Sequence, residues 1–389
     1  MRLSVTIATI LTPAFSAALH GQPLTESPAA YEIVAATSIP VLPSPLRAFL
    51  EAHIEAVRQS ATAGLSPVPE NRPSPAELGR HYVMLDAAAD QRDAGGRRCA
   101  VLAFPRDRGE ATKLFKQSAQ ENGGTLPWVL CERRTALVQA FRDGPADAIF
   151  REAGAVIHFA TDASLPFNTT ADLDGAAADC LRWSATQSAS GTELQHRTVR
   201  QRYHNAFIAR LRDRLAYEVR VAQQRYSPGR ECIIEVFDAL SAAYETLDGL
   251  AAIDAETTRT LGIADAEGFD ARVDQYYEKL ADRAASIIES RLEAAALLGA
   301  NLIGAAWAEA GSPPPSKWIA DPTPAANGTR PADQVKKPFV GSRDSTVFHR
   351  AACKHVDRIK PQNQVCFATA KEALDAGRKP CQSCRPGGP

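Results

Sequence analysis

Residues 44 to 57 read SPLRAFLEAHIEAV, and their apolar members Leu46, Phe49, Leu50, Ile54 and Val57 recur every three or four positions. That spacing lines one face of an α-helix. It returns at Tyr203, Phe207, Leu211 and Leu215, and between Leu42 and about residue 310 little alternates with the period of two that a half-buried strand requires. SPVPENRPSP (Ser66–Pro75) and YSPGR (Tyr226–Arg230) break the pattern between candidate helices. The fold class is therefore expected to be mainly α, with one large all-helical domain over 22–310.

After Gly311 the periodicity stops. Pro313, Pro314, Pro315, Pro322, Pro324, Pro331 and Pro338 follow with almost no apolar repeat, which predicts a semi-rigid linker over 311–336. The stretch 337–389 is too short for a self-sufficient apolar core, so a small α+β module there needs a staple.

At 389 residues, 45% hydrophobic and 23% charged, the composition is that of a globular protein and excludes wholesale disorder and fibrous classes. The formal net charge of -1 conceals an asymmetry, because residues 336–389 hold 11 Lys/Arg against 4 Asp/Glu. An acidic body thus carries a basic tail suited to a polyanionic partner. The first 21 residues, MRLSVTIATILTPAFSAALHG, place one arginine before an apolar run and small residues at Ser16, Ala17 and Ala18. They are expected to be a signal peptide, making the protein secreted or periplasmic. Of the eight cysteines, Cys99, Cys131, Cys180 and Cys232 are widely spaced, and their pairing is open at this point.

The other cysteines are arranged for metal chemistry. His349 and Cys353, then Cys381 and Cys384, form His-x3-Cys-x27-Cys-x2-Cys, which supplies the four ligands of a closed tetrahedral zinc site in two close pairs. A disulfide between Cys381 and Cys384, or with Cys353, is the competing reading. Cys366 reads as a small buried residue.

VGSRDSTVFHRAAC, followed by IKPQNQVCFATAKEALDAGRKPCQSCRP, resembles the Ada-type metal-binding domain of DNA repair methyl-transfer proteins over about 50 residues. The resemblance implies zinc binding and contact with DNA or RNA. In that family four cysteines hold zinc and the first accepts a methyl group from a DNA phosphotriester; here His349 stands at that position. An imidazole cannot act as the thiolate acceptor, which opposes a third reading as a DNA repair methyltransferase or transcription regulator. Arg350, Lys354, Arg378 and Lys379 are the basic residues expected to meet phosphates.

Upstream, HFATDASLPFN places His158 and Asp162 four apart, on one face of a helix. A hydrogen-bonded His–Asp pair is the common explanation, and a shared metal the alternative. SPAELGRHYVMLD (Ser74–Asp86), GTLPWVL (Gly124–Leu130), HFATDASLPFNTTADLDG (His158–Gly175) and RQRYHNAFIARL (Arg200–Leu211) occur in the order seen in zinc-dependent phospholipases C and single-strand-specific zinc nucleases. That resemblance implies an all-helical fold and a cleft in which three zinc ions cleave a phosphodiester. His81, His158 and Asp162 match ligand positions. Asn168 and Arg200 stand where histidines belong, His204 where a carboxylate belongs, and His20 and Glu26 where Trp and His belong.

The resemblance therefore implies at most one remaining metal, held by His81, His158 and Asp162 with His204 or Glu70 as further candidates. Arg200 is expected to turn inward toward Asp162 or Glu26 in place of a lost cation. The leading expectation is an exported zinc-binding protein with a nucleic-acid-binding tail module and a degenerate phosphodiesterase-like domain. The alternative is an active one-metal phosphodiesterase of nuclease or phospholipase C type.

Overall fold

A computed structural model describes residues 27–63, 75–88, 104–117, 123–171, 198–318, 339–343, 345–350, 353, 355, 356, 359, 363–367, 369–382 and 384, with backbone alone at 204–206, 371 and 375. The expected signal peptide, His20, Glu26, Glu70, Cys99, Cys180 and Lys354 lie outside the described residues. The chain divides into two compact units, Met1–Asp321 and Pro322–Pro389. As the periodicity indicated, the first is helical and the second carries a small sheet with one helix. No helix among the described residues is long and apolar enough to cross a membrane.

Seven helices of the first unit carry the argument: α1 (Ala29–Ser38), α2 (Ser44–Ala52), α3 (Ile54–Ala61), α4 (Leu126–Asp143), α5 (Ala146–Ser164), α6 (Cys232–Tyr244) and α7 (Val273–Glu309). Prolines in the first turns of α2 and α4 mark their starts, where a missing N–H costs nothing. The long α7 stops at Gly311, whose φ of +87° few other residues adopt. There the Gly311 N–H donates to the Ala308 carbonyl and the Ser312 N–H to that of Trp307. The chain beyond still belongs to this unit: Trp318 is buried, donates its indole N–H to the Phe141 carbonyl and packs on Phe49.

The axis of the unit is α5, which buries residues all round its circumference and packs against α1, α3, α4 and α7. Gly154 makes this possible. A Cβ there would fall 2.4 Å from the Ser60 Cβ and 2.7 Å from the Val57 carbonyl oxygen, so only glycine lets α3 cross so near. The crossing brings Ala61, the last residue of α3, against α5. A disulfide joins Cys131 in α4 to Cys232 at the start of α6, with the Cα atoms 5.9 Å apart, and so settles the pairing of two of the four upstream cysteines.

The segment before α4 lies against α4 and α5 and is held by backbone bonds. Val83 bridges Gly124, the Val83 and Leu85 N–H groups donate to the Asn168 and Thr169 carbonyls, and Met84 donates to Gly123. Gly124 has φ +90°, and a Cβ on it would lie 2.0 Å from the Tyr82 carbonyl oxygen. These bonds fix His81 over α5. Farther on, Arg202–Phe207 winds as a π-helix, a departure from the α-helical spacing read at Tyr203 and Phe207. Its buried Arg202 forks onto the Asp254 carboxylate at 2.7 and 2.8 Å.

In the second unit, β1 (Phe339–Ser342), β2 (Val347–Arg350), β3 (Gln364–Phe367) and β4 (Lys379–Pro380) form a mixed sheet in the order β3-β1-β2-β4. Only the β2–β4 pair is parallel. The helix Ala370–Asp375 starts at Thr369, whose hydroxyl accepts the Glu372 N–H. Phe348, Phe367 and Ala373 form one small apolar cluster, and Val340 and Val356 form another around Cys353 and Cys381.

Candidate metal sites

His349 stands on β2, Cys353 in the turn after it, and Cys381 and Cys384 beyond β4. The β2–β4 pairing and the Cys381 N–H bond to the Phe348 carbonyl, 2.9 Å, bring the two halves of the motif together. One ligand atom from each of the four residues lies within 4.8 Å of the others. The Cys353 Sγ is 3.7 Å from the His349 Nδ1, and the Arg350 N–H points at the Cys384 Sγ at 3.4 Å. Cys353 and Cys381 are buried, while His349 and Cys384 are half-buried at the rim. Cys366 sits on β3 opposite Val340, packed beside this group and not among the four converging residues.

Burial pushes the Cys384 thiol up, the Arg350 N–H opposes it, and the neighbouring Cys353 and Cys381 add to the rise. Burial, then the adjacent His355, push the His349 imidazole down, which favours the neutral, ligating form. The donor set fits a structural zinc: three sulfurs, one nitrogen and no fifth position.

The basic residues divide by role. Arg350 and Lys379 are exposed. The Nη1 of Arg378 instead donates to the Ser342 carbonyl at 2.5 Å and to that of Ser345, and the guanidinium lies over the Phe367 ring. Arg378 thus ties the β1–β2 turn to the sheet.

The second cluster is in the helical unit. The His81 Nδ1 lies 2.8 Å from the Asp162 Oδ2, the His158 Nε2 lies 3.4 Å from the same oxygen, and the two nitrogens are 3.1 Å apart. Tetrahedral zinc with bonds of about 2.0–2.2 Å spaces its ligands roughly 3.3–3.6 Å apart. The triangle is thus slightly contracted, as a hydrogen-bonded group is, and of the right size to open around one ion. The His158 Nδ1 bonds the Ala61 carbonyl at 2.7 Å. That oxygen belongs to the last residue of α3, and accepting from Nδ1 it fixes the tautomer that turns Nε2 toward Asp162. Asp162 is fully buried; burial alone would raise its carboxyl, but His158, His81 and Tyr31 hold it below the ordinary carboxylate range.

Of the two partners expected for Arg200, Glu26 lies outside the described residues. The Arg200 guanidinium turns inward and donates to the Asn168 side chain at 3.0 Å, and Asn168 donates in turn to the Asp162 backbone carbonyl. The Asp162 carboxylate accepts from Tyr31 on Oδ1 and faces His81 and His158 on Oδ2. The His204 side chain lies outside the described residues. Tyr31 and the Ala61 carbonyl carried no signal in the sequence, since neither a lone tyrosine nor a backbone oxygen belongs to a motif.

In comparisons with known proteins, no protein-family model matches the chain and no curated protein matches it.

Proposed function

We propose that this chain is an exported zinc-binding protein whose C-terminal module contacts nucleic acid and whose helical unit is a degenerate phosphodiesterase-like domain. The observation that carries the reading is the convergence of His349, Cys353, Cys381 and Cys384 in a unit with little other core. Zinc is the cation the donor set suits best. The likeness to Ada-type modules supports nucleic acid as the partner, as does the basic surplus of the tail. The Cys131–Cys232 disulfide supports export, because such bonds persist in oxidising compartments. His349 in place of a thiolate argues against methyl transfer.

The test is binding of single-stranded DNA and RNA oligonucleotides to the full chain across a salt series. Affinity is expected to fall steeply with salt. Neutralising Arg350, Lys354 and Lys379 to glutamine should weaken it for all sequences and reduce the log–log salt slope by about 2, at roughly 0.7 per phosphate contact. Arg378 is left intact because it holds carbonyls of the β1–β2 turn. Binding that ignores salt, or survives the triple variant unchanged, contradicts the assignment.

A second reading is favoured by the His81–His158–Asp162 cluster: one divalent cation there, activating water against a phosphodiester, as the likeness to phospholipases C and zinc nucleases suggests. Asn168 and Arg200 oppose efficient hydrolysis, since their bond fills positions from which further ligands would clamp the phosphate.

A further inference from the structure

Asp162 has two carboxylate oxygens, and the structure treats them differently. Oδ2 faces the imidazoles of His81 and His158, whereas Oδ1 accepts the phenolic hydrogen of Tyr31 at 2.7 Å. Tyr31 is 1% exposed, and its ring stacks on His158 with centroids 4.8 Å apart and planes inclined by 22°. One side chain of α1 therefore holds both the acid and an imidazole of the cluster. Tyr31 reaches them from the α1–α5 contact, and the Ala61 carbonyl of α3 grips the far side of His158.

We propose that Tyr31 is the positioning residue that restricts this cluster to a single, one-oxygen carboxylate contact with one divalent cation. The inference rests on the metal reading of His81, His158 and Asp162. With Oδ1 accepting the Tyr31 hydroxyl, that oxygen is the poorer donor to a cation, so the carboxylate favours coordination through Oδ2 alone over chelation or bridging. Two imidazole nitrogens and one carboxylate oxygen, the ligands that the described residues offer, then suit a four-coordinate ion completed by one further ligand. Partners of this kind tune affinity through the ligand they orient, and losing one typically weakens binding about 10- to 100-fold.

Tyr31→Phe keeps the ring and its stacking and deletes only the hydroxyl. The test uses the full chain, stripped of metal, given one equivalent of zinc for the thiolate site and then titrated with cobalt(II). Thiolate-to-cobalt charge-transfer bands reveal any ion that enters the cysteine cluster, so the two sites are read separately. The Tyr31 protein is expected to take up one cobalt outside the cysteine cluster, with the intense visible absorption of a four-coordinate ion. Tyr31→Phe is expected to bind it at least tenfold more weakly and with the fainter spectrum of a higher coordination number, as the released carboxylate swings to two-oxygen binding. A merely structural role would lower the melting temperature and leave the spectrum unchanged. Cobalt bound by both proteins with the same affinity and spectrum overturns the inference and leaves the metal reading standing. No cobalt bound by the Tyr31 protein overturns both.

Discussion

Replacing Cys381 and Cys384 together by serine is expected to unfold the C-terminal unit and leave the helical unit folded. The apolar side chains buried in that unit fall into two small clusters, one of Phe348, Phe367 and Ala373 and one of Val340 and Val356 around the cysteines. Clusters of that size rarely stabilise a domain alone. The sheet gives no more help, since β4 spans two residues and its link to β2 is completed by Cys381 itself. Coordination at the proposed site would supply the rest: structural zinc contributes an apparent 10–16 kcal/mol, on the order of a whole domain's stability, in small zinc-dependent folds at neutral pH. Hydrogen exchange of the β1–β3 amides should rise to the unprotected rate in the double variant, and in the wild-type chain after chelation. Amides of α5 should keep their protection. Protection of β1–β3 that survives both treatments would show that the unit folds without metal.

Removing the Cys131–Cys232 disulfide is expected to produce the largest single loss in the helical unit. The bond joins positions 101 apart in sequence. Closing a loop of about 100 residues restricts the unfolded chain by an entropy worth about 4.7 kcal/mol in the loop-closure treatment. At roughly 2–4 °C per kcal/mol for a unit of this size, the Cys131→Ser, Cys232→Ser protein should melt about 10–19 °C lower. Thermal unfolding under oxidising conditions checks the figure, and addition of a thiol reductant should bring the wild-type curve onto that of the variant. A shift of a degree or two would mean that the two cysteines are reduced in the folded protein.

The parts of this structure that repeat or pair locally were legible in the sequence. Leu46, Phe49, Leu50 and Val57 are buried as their spacing indicated, but His53 divides the stretch between α2 and α3 and Ile54 is only half-buried, a break that apolar spacing does not record. Both candidate ligand sets were legible for a similar reason. His349 with Cys353, Cys381 with Cys384 and His158 with Asp162 are each local pairs, and convergence then needed only the fold to join them. What escaped depends on contacts between distant elements. Gly154 looks like any helical glycine until α3 is laid across it. Tyr31 acts on Asp162 across 131 residues. Arg378 belongs to a basic stretch that reads as a phosphate-binding face, yet its guanidinium goes to two backbone carbonyls, which no charge pattern records. Trp318 sits in a Pro-rich stretch with no periodicity and is nevertheless buried, because one indole suffices to anchor a segment. The π-helix at Arg202–Phe207 breaks the α-helical pattern that Tyr203 and Phe207 continue in the sequence, and it goes with the burial of Arg202 against Asp254.

The central claim is that His349, Cys353, Cys381 and Cys384 hold one zinc ion, and X-ray absorption at the zinc edge tests it most directly. The full chain, purified without reductant or chelator and adjusted to one equivalent of zinc, should show a first shell of three sulfurs at about 2.3 Å and one nitrogen at about 2.0–2.1 Å. His349→Ala should lose the nitrogen and keep the sulfurs. A shell of nitrogen and oxygen alone, with mass spectrometry finding Cys381 and Cys384 joined as a disulfide, would contradict the account.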